Sequence, residues 1–314
     1  MISVIIPIFN AAPFLPTLFR QLCNQTFPDF EVILVNDGST DCSGALCDAI
    51  AHNDPRFHSL HQENNGVSAA RNHGIKAAQR EYIAFLDADD EIPENYLGAL
   101  LSAAEKTNSQ MALCDVSIIT DGVETNRFSC PDGILSQQEA LSLLLSRQKI
   151  NSGPYGKIFR RELLNDIVFP PLKAYEDILF VTNVICGCSQ ISATTQTEYR
   201  YVQNSTGAMH TFQKAPSPDI IAATDQLLAF LQARKDVSPL CFYVTVSHLM
   251  QYVRGIIDSK NIAARDFVSS AQNLYRKYLP GILSCSAFPW KEKVIFFLFV
   301  LGWDYHEKKL YRLR

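Results

Sequence analysis

The chain has 314 residues, 47% of them hydrophobic and 19% charged, which leaves room for one large α/β domain with a helical extension or for two domains. This composition excludes wholesale disorder, and a net charge of -4 argues against a basic surface for nucleic acid. Nine cysteines at irregular spacing, with Cys186-Gly187-Cys188 lacking a second pair, read as reduced thiols in a cytosolic protein and not as a zinc site.

The first basic residue is Arg20, and Ile2 to Ile8 reads as a β-branched strand, so no secretory signal is expected. A helix follows over Phe14 to Asn24, with Leu15, Leu18, Phe19 and Leu22 on one face. Phe30 to Val35 is the second strand, and Asn36-Asp37-Gly38-Ser39-Thr40-Asp41 is a polar turn able to cap a helix over Cys42 to His52. Phe57 to His61 is a weaker strand, Asn64-Asn65-Gly66 a turn, and Val67 to Ala78 a helix carrying Arg71. Tyr82 to Leu86 is a short apolar strand running into Asp87-Ala88-Asp89-Asp90.

Helices are expected over Pro93 to Lys106 and Ser136 to Ser146, the latter opened by a Ser136-x-x-Glu139 capping box, with a strand over Met111 to Ile119 between them. Asn151 to Arg161 is rich in glycine and lysine or arginine, and Glu176-Asp177 stands at the start of an apolar helix, where the positive end of the helix dipole suits acids. Ser192 to Gln203 is strand-like. From Asp219 the pattern is helical, over Ile220 to Ala233, Pro239 to Ile257 and Ala263 to Tyr278. The tail from Phe288 to Arg314 holds six Lys/Arg against three Asp/Glu, interleaved with aromatics. It is either a helix lying on an anionic membrane surface or one packed on the body with a solvated basic end. No apolar run reaches the roughly 18 residues of a membrane span.

Strands alternating with helices predict an α/β fold with a mostly parallel, doubly wound sheet and helices on both faces. Ligands of such sheets bind beyond the carboxyl ends of strands. Asn10, Asn36 to Asp41 and Asp87 to Asp90 each follow a strand. The acidic end Asp87 to Asp90 is either a solvated turn or a site for a hard divalent cation facing a phosphate, and the convergence of three strand ends favours the site. A nucleoside diphosphate donor would place its base against Asp37 and Pro7 to Asn10, its leaving phosphates near a Mg or Mn held by Asp89, and its hydroxyls near Asp87, with Arg71 assisting. An acceptor hydroxyl needs a general base, for which Asp177 is the candidate and Glu176 the alternative. His210 is either a metal ligand or an ordinary histidine.

Five segments together resemble a family 2 glycosyltransferase of the GT-A fold. They are Val4 to Asn10, Val35 to Asp41, Asn65 to Gly74, Phe85 to Asp90 and Tyr175-Glu176-Asp177, in the family's order, from residue 1 to about residue 210. The resemblance implies an inverting enzyme using a nucleotide-sugar donor, usually a UDP-sugar. It implies that Pro7, Phe9, Asn10, Asp37, Asn65, Arg71, Asp87 and Ala88 line the donor site and that Asp89 and His210 bind metal. It also implies that Asp177, with Glu176 beside it, is the base. The expected division is a nucleotide-sugar-binding catalytic domain over 1–215 and a helical region over 216–314. The Gln-x-x-Arg-Trp motif of processive synthases does not occur, which points to transfer of one or a few sugars. The expected setting is synthesis of a bacterial surface glycan on a glycan or lipid-linked acceptor, in the cytoplasm or on the cytoplasmic face of the membrane. A nucleotidyltransferase on a related sheet and a non-catalytic binding protein are the competing readings.

Overall fold

The structure is a computed structural model that describes residues 1–203, 217–234, 236–258, 265–306 and 309–312. It divides into two compact units, Met1–Gly207 and Ala208–Arg314.

In the first unit, β1 (Ile2–Ile8), β2 (Phe30–Asp37), β3 (Phe57–Gln62) and β4 (Tyr82–Phe85) form a parallel sheet. β1 pairs with β2 from Ile2 opposite Phe30 to Ile8 opposite Asn36, and with β4 from Ile2 opposite Tyr82 to Ile5 opposite Phe85. Both faces of β1 are buried, which explains its continuous apolar run. Ile2, Val4, Ile6 and Ile8 pack with Leu15, Leu18 and Leu22 of α1 (Leu15–Cys23) and with Tyr96, Leu97 and Leu100 of α4 (Tyr96–Thr107). Ile5 faces the other way, against α3 (Val67–Ala77). A Cβ on Gly74 of α3 would lie 2.3 Å from Ile5 Cγ2, so only glycine lets this helix sit so close to β1. Between α1 and α3 the chain forms α2 (Ser43–Asn53).

Beyond β4 the sheet becomes mixed. β5 (Met111–Thr120), β6 (Val123–Phe128), β7 (Gly133–Leu135), β8 (Lys157–Arg160) and β9 (Ile191–Gln203) complete the order β3-β2-β1-β4-β8-β5-β9-β7, with β6 on β5. β8 runs against both β4 and β5, and β9 lies parallel to β5. The expected parallel winding therefore covers β3 to β4. The segment before β8 brings the chain back antiparallel to both of its neighbours. Two more helices complete the unit: α5 (Gln137–Leu145), which opens with the Ser136–Glu139 capping box, and α6 (Glu176–Gly187). Phe180 of α6 stacks on Phe169 at 3.8 Å and meets the edge of Phe85 from β4 at 5.8 Å. That aromatic contact fixes where the first turn of α6 lies.

The strand order turns at β1: β2 and β3 extend to one side, β4 to the other. Such a switch point opens a crevice at the strand carboxyl ends.

The second unit consists of α7 (Asp219–Ala233), α8 (Pro239–Asp258), α9 (Arg265–Ser284), α10 (Trp290–Val300) and a hairpin of β10 (Trp303–His306) and β11 (Lys309–Arg312). Tyr275 of α9 packs against Phe296 and Phe299 of α10, and Phe288 against Phe242 and Tyr243 of α8. Among the described residues no helix is long and apolar enough to cross a membrane.

Candidate active site

The ends of β1 and β2 are tied to each other. Asn10, with φ of 50°, turns its Oδ1 to accept from the Thr40 and Asp41 backbone N–H groups at 2.8 and 3.3 Å. The backbone N–H of Asn10 donates to Ser39 Oγ, and that of Ala11 to Ser43 Oγ. Asparagine tolerates the left-handed region better than most residues, so this position suits it. Phe9, on the same turn, is half exposed.

Asp37, buried at the end of β2, accepts from Gln62 Nε2 at 2.7 Å, the Asn65 N–H at 2.9 Å and the Gly66 N–H at 2.9 Å. Gly66 reaches that carboxylate with φ of 87° just before α3 begins. A carboxylate has about four acceptor positions, so about one remains for a donor outside the protein. Asp37 and Asn65, both expected at the donor site, are adjacent, and Asn65 contributes its backbone N–H.

Arg71 is the junction of the site. Its guanidinium is buried, donating through Nη2 to Asp87 Oδ1 and through Nη1 to Glu176 Oε1, each at 3.0 Å. It also lies over the Phe169 ring at 5.3 Å, and its Nε is buried without a hydrogen-bond partner. Burial works against its charge, but Asp87 and Glu176 outweigh burial and hold its pKa above the ordinary value. The Asp87 strand end and the first turn of α6 therefore belong to one site.

Glu176 and Asp177 differ in setting. Glu176 is buried and bound to Arg71; burial, then the Asp177 charge, raises its pKa against the pull of Arg71. Asp177 is half-buried, and its Oδ2 accepts from Ser152 Oγ at 3.1 Å. The preceding Tyr175 holds φ of 63°, an uncommon conformation for a bulky residue, and such outliers gather at functional sites.

Two features here are not evident from local sequence. Lys157 is buried, with Nζ donating to the carbonyl oxygens of Asn151, Gly153 and Tyr155 at 2.9, 2.6 and 3.2 Å. Burial lowers its pKa to about 8. This lysine gathers the loop that presents Ser152 to Asp177. The second feature is the partner of Asp90. Its carboxylate accepts from Tyr199 Oη at 2.5 Å and from the Val202 N–H at 2.8 Å, and Tyr199 Oη accepts from the Asp87 N–H. Asp90 thus holds the acidic turn against β9. Tyr155 stacks on both Tyr199 and Tyr201, which lie two apart on β9 and so on one face of it.

Ala88 is buried within the acidic turn and Pro7 lies on β1 opposite Val35. Asp89 is half-buried beside Ala88. His210 lies outside the described residues. Among the described residues no group of three or more His, Cys, Asp or Glu side chains could hold a metal ion.

The profile described as "Glycosyl transferase family 2" matches residues 3–168, and the chain belongs to that family. It is 32% identical over 219 residues to the uncharacterized glycosyltransferase YibD of Escherichia coli (strain K12), covering 65% of this chain and 62% of that protein. It is 31% identical over 233 residues to glycosyltransferase GlyG of Streptococcus pneumoniae serotype 4, covering 70% and 77%. The fold resembles S. aureus TarS 1-349 solved with UDP-GlcNAc, with a TM-score of 0.72 at 19% identity over 99% of this chain and 96% of that one.

Proposed function

We propose that this enzyme moves one or a few sugars from a UDP-sugar to a hydroxyl of a glycan or lipid-linked glycan, with inversion, during bacterial surface-polysaccharide synthesis. The reading places the reaction in the cytoplasm or at the cytoplasmic face of the membrane. The observation that carries it is Arg71, whose two ion pairs join the Asp87 strand end to the acid pair of α6.

Asp177 is the base in this reading. It is half-buried and held by a neutral hydroxyl, whereas Glu176 is committed to Arg71. Removing the acceptor proton as the acceptor oxygen attacks gives one displacement, hence inversion. Asn10, Asp37 and Asn65 form the nucleotide end, with Pro7 and Phe9 beside the base. Asp87 faces the sugar hydroxyls while Arg71 keeps one of its oxygens fixed.

Asp87 and Asp89 are hard oxygen donors on one turn. A Mg or Mn site built from one or two carboxylates plus substrate phosphates fits that set. Such an ion supplies Lewis-acid stabilisation of the departing diphosphate. Asp89 would hold it, and His210 is the proposed further ligand.

The test is UDP release with Mn from a panel of UDP-sugars, with Asp89→Ala and Asp177→Asn beside wild type. Asp177→Asn should slow turnover by about 10²–10⁴-fold with donor binding retained. If no UDP-sugar binds or turns over, or if both variants keep full activity, the reading fails.

A further inference from the structure

The second unit carries an apolar face with no work to do inside it. Helix α10 is apolar almost all round, a pattern that normally means burial on every side. It buries only one side, through Phe296, Phe299 and Val300. Trp290, Val294, Phe297 and Leu301, spaced by four, three and four along α10 and its C-cap, are 71%, 47%, 44% and 59% exposed. That spacing puts all four on one stripe. Leu283 and Leu240 are exposed as well. Lys293 Nζ donates to the Leu283 carbonyl, and Cys285 Sγ to the carbonyl of Pro239, next to Leu240. The exposed large apolar side chains of this unit, among the described residues, are therefore on α10 or on chain bonded to its surroundings.

The two charges of α10 that flank the stripe are both positive. Lys291 and Lys293 flank it on opposite sides, about 100° and 300° around the helix from Trp290. Glu292, the acidic residue of α10, points away and accepts from Tyr243 Oη at 2.9 Å. Past Leu301 the chain adds Lys308, Lys309, Arg312 and Arg314 against Asp304 and Glu307. A second copy seated on this stripe would bring lysines against lysines. A bilayer with anionic headgroups offers apolar depth to the stripe and negative charge to its flanks.

We propose that the Trp290–Val294–Phe297–Leu301 face of α10 docks on an anionic lipid surface and lies in its plane. It goes beyond the transfer reading and gives that enzyme a place to work, next to an acceptor carried on lipid.

The experiment is co-sedimentation of the full chain with phosphatidylglycerol-containing vesicles and with pure phosphatidylcholine vesicles, at low and high salt. Wild type should partition onto the anionic vesicles and be released by salt. Val294→Glu with Phe297→Glu should abolish binding, and Lys291→Glu should weaken it by about fivefold or more, from roughly 1 kcal/mol per basic group near the surface. Circular dichroism melting confirms that each variant is folded. Asp177→Asn should bind vesicles as wild type does, so the membrane and transfer readings fail separately. Unchanged partitioning of the folded glutamate variants would overturn the proposal. So would failure of wild type to bind either vesicle, or a wild-type dimer that Phe297→Glu turns into monomer.

Discussion

The two units spend their unusual residues in opposite ways. In the first, buried polar groups of the candidate site each hold two or three partners: Asp37 two backbone N–H groups and Gln62, Arg71 two carboxylates, Asp90 Tyr199 and Val202. In the second, the unusual residues are apolar and lie outside, on α10. Matched polar groups in a low dielectric set geometry and charge for chemistry. Unmatched apolar groups on a surface set where a protein resides. Under the two proposals reaction belongs to the first unit and location to the second, so each should respond to its own substitutions.

The largest effect should come from Arg71→Met. Losing this cation leaves the buried Glu176 and the partly buried Asp87 without their partner, which costs about 3–5 kcal/mol of stability. Thermal melting should show the loss, with nucleotide release falling alongside it, while vesicle binding by α10 persists at temperatures where the protein is folded. If Arg71→Met also abolishes vesicle binding in the folded protein, the separation between the units breaks.

A smaller and more selective effect is expected for Ser152→Ala. Its hydroxyl donates to Asp177 Oδ2, and loss of a hydrogen bond to a charged group is worth about 1.5–3 kcal/mol, or roughly tenfold or more in rate. Steady-state kinetics should show kcat reduced with donor KM unchanged. A change in KM alone would place Ser152 in binding instead.

Asp90→Asn should give the smallest effect. Burial, then the Asp87 charge, raises the Asp90 carboxyl well above 3.8. Stability from its bound proton is complete below the unfolded value and is lost as pH rises through the folded one. This contribution to stability therefore falls as pH rises, and the amide should remove that part of the pH dependence. The Tm of the variant should gain on wild type by about 2–4 °C per kcal/mol as pH rises, as measured by calorimetry.

Local pattern revealed much of this. The runs Ile2 to Ile8 and Phe30 to Val35 are strands because β-branched and apolar residues fill positions buried on both faces, and Ser136 with Glu139 caps α5 as its spacing requires. Asp37, Asp87 and Glu176 fall at strand or helix ends, where such folds keep their polar chemistry, and Arg71 lies about one turn into α3. What stayed hidden depends on contacts distant in sequence. The partner of Asp90 is Tyr199 of β9, 109 residues further along the chain. Lys157 looked like part of a basic segment, yet its side chain turns inward onto three carbonyls of its own loop. The antiparallel insertion of β8 leaves no trace in periodicity. α10 is apolar around its circumference, so only packing decides which side remains outside.

The chain holds two tryptophans, Trp290 and Trp303, and both belong to the second unit. Trp290 stands on the exposed stripe, 71% accessible, whereas the first unit carries tyrosine and phenylalanine alone as aromatic side chains. Indole emission is therefore a built-in optical reporter of one unit. A shift of that emission on adding vesicles would record arrival at the lipid without any label, and adding nucleotide to the first unit would give the matched blank.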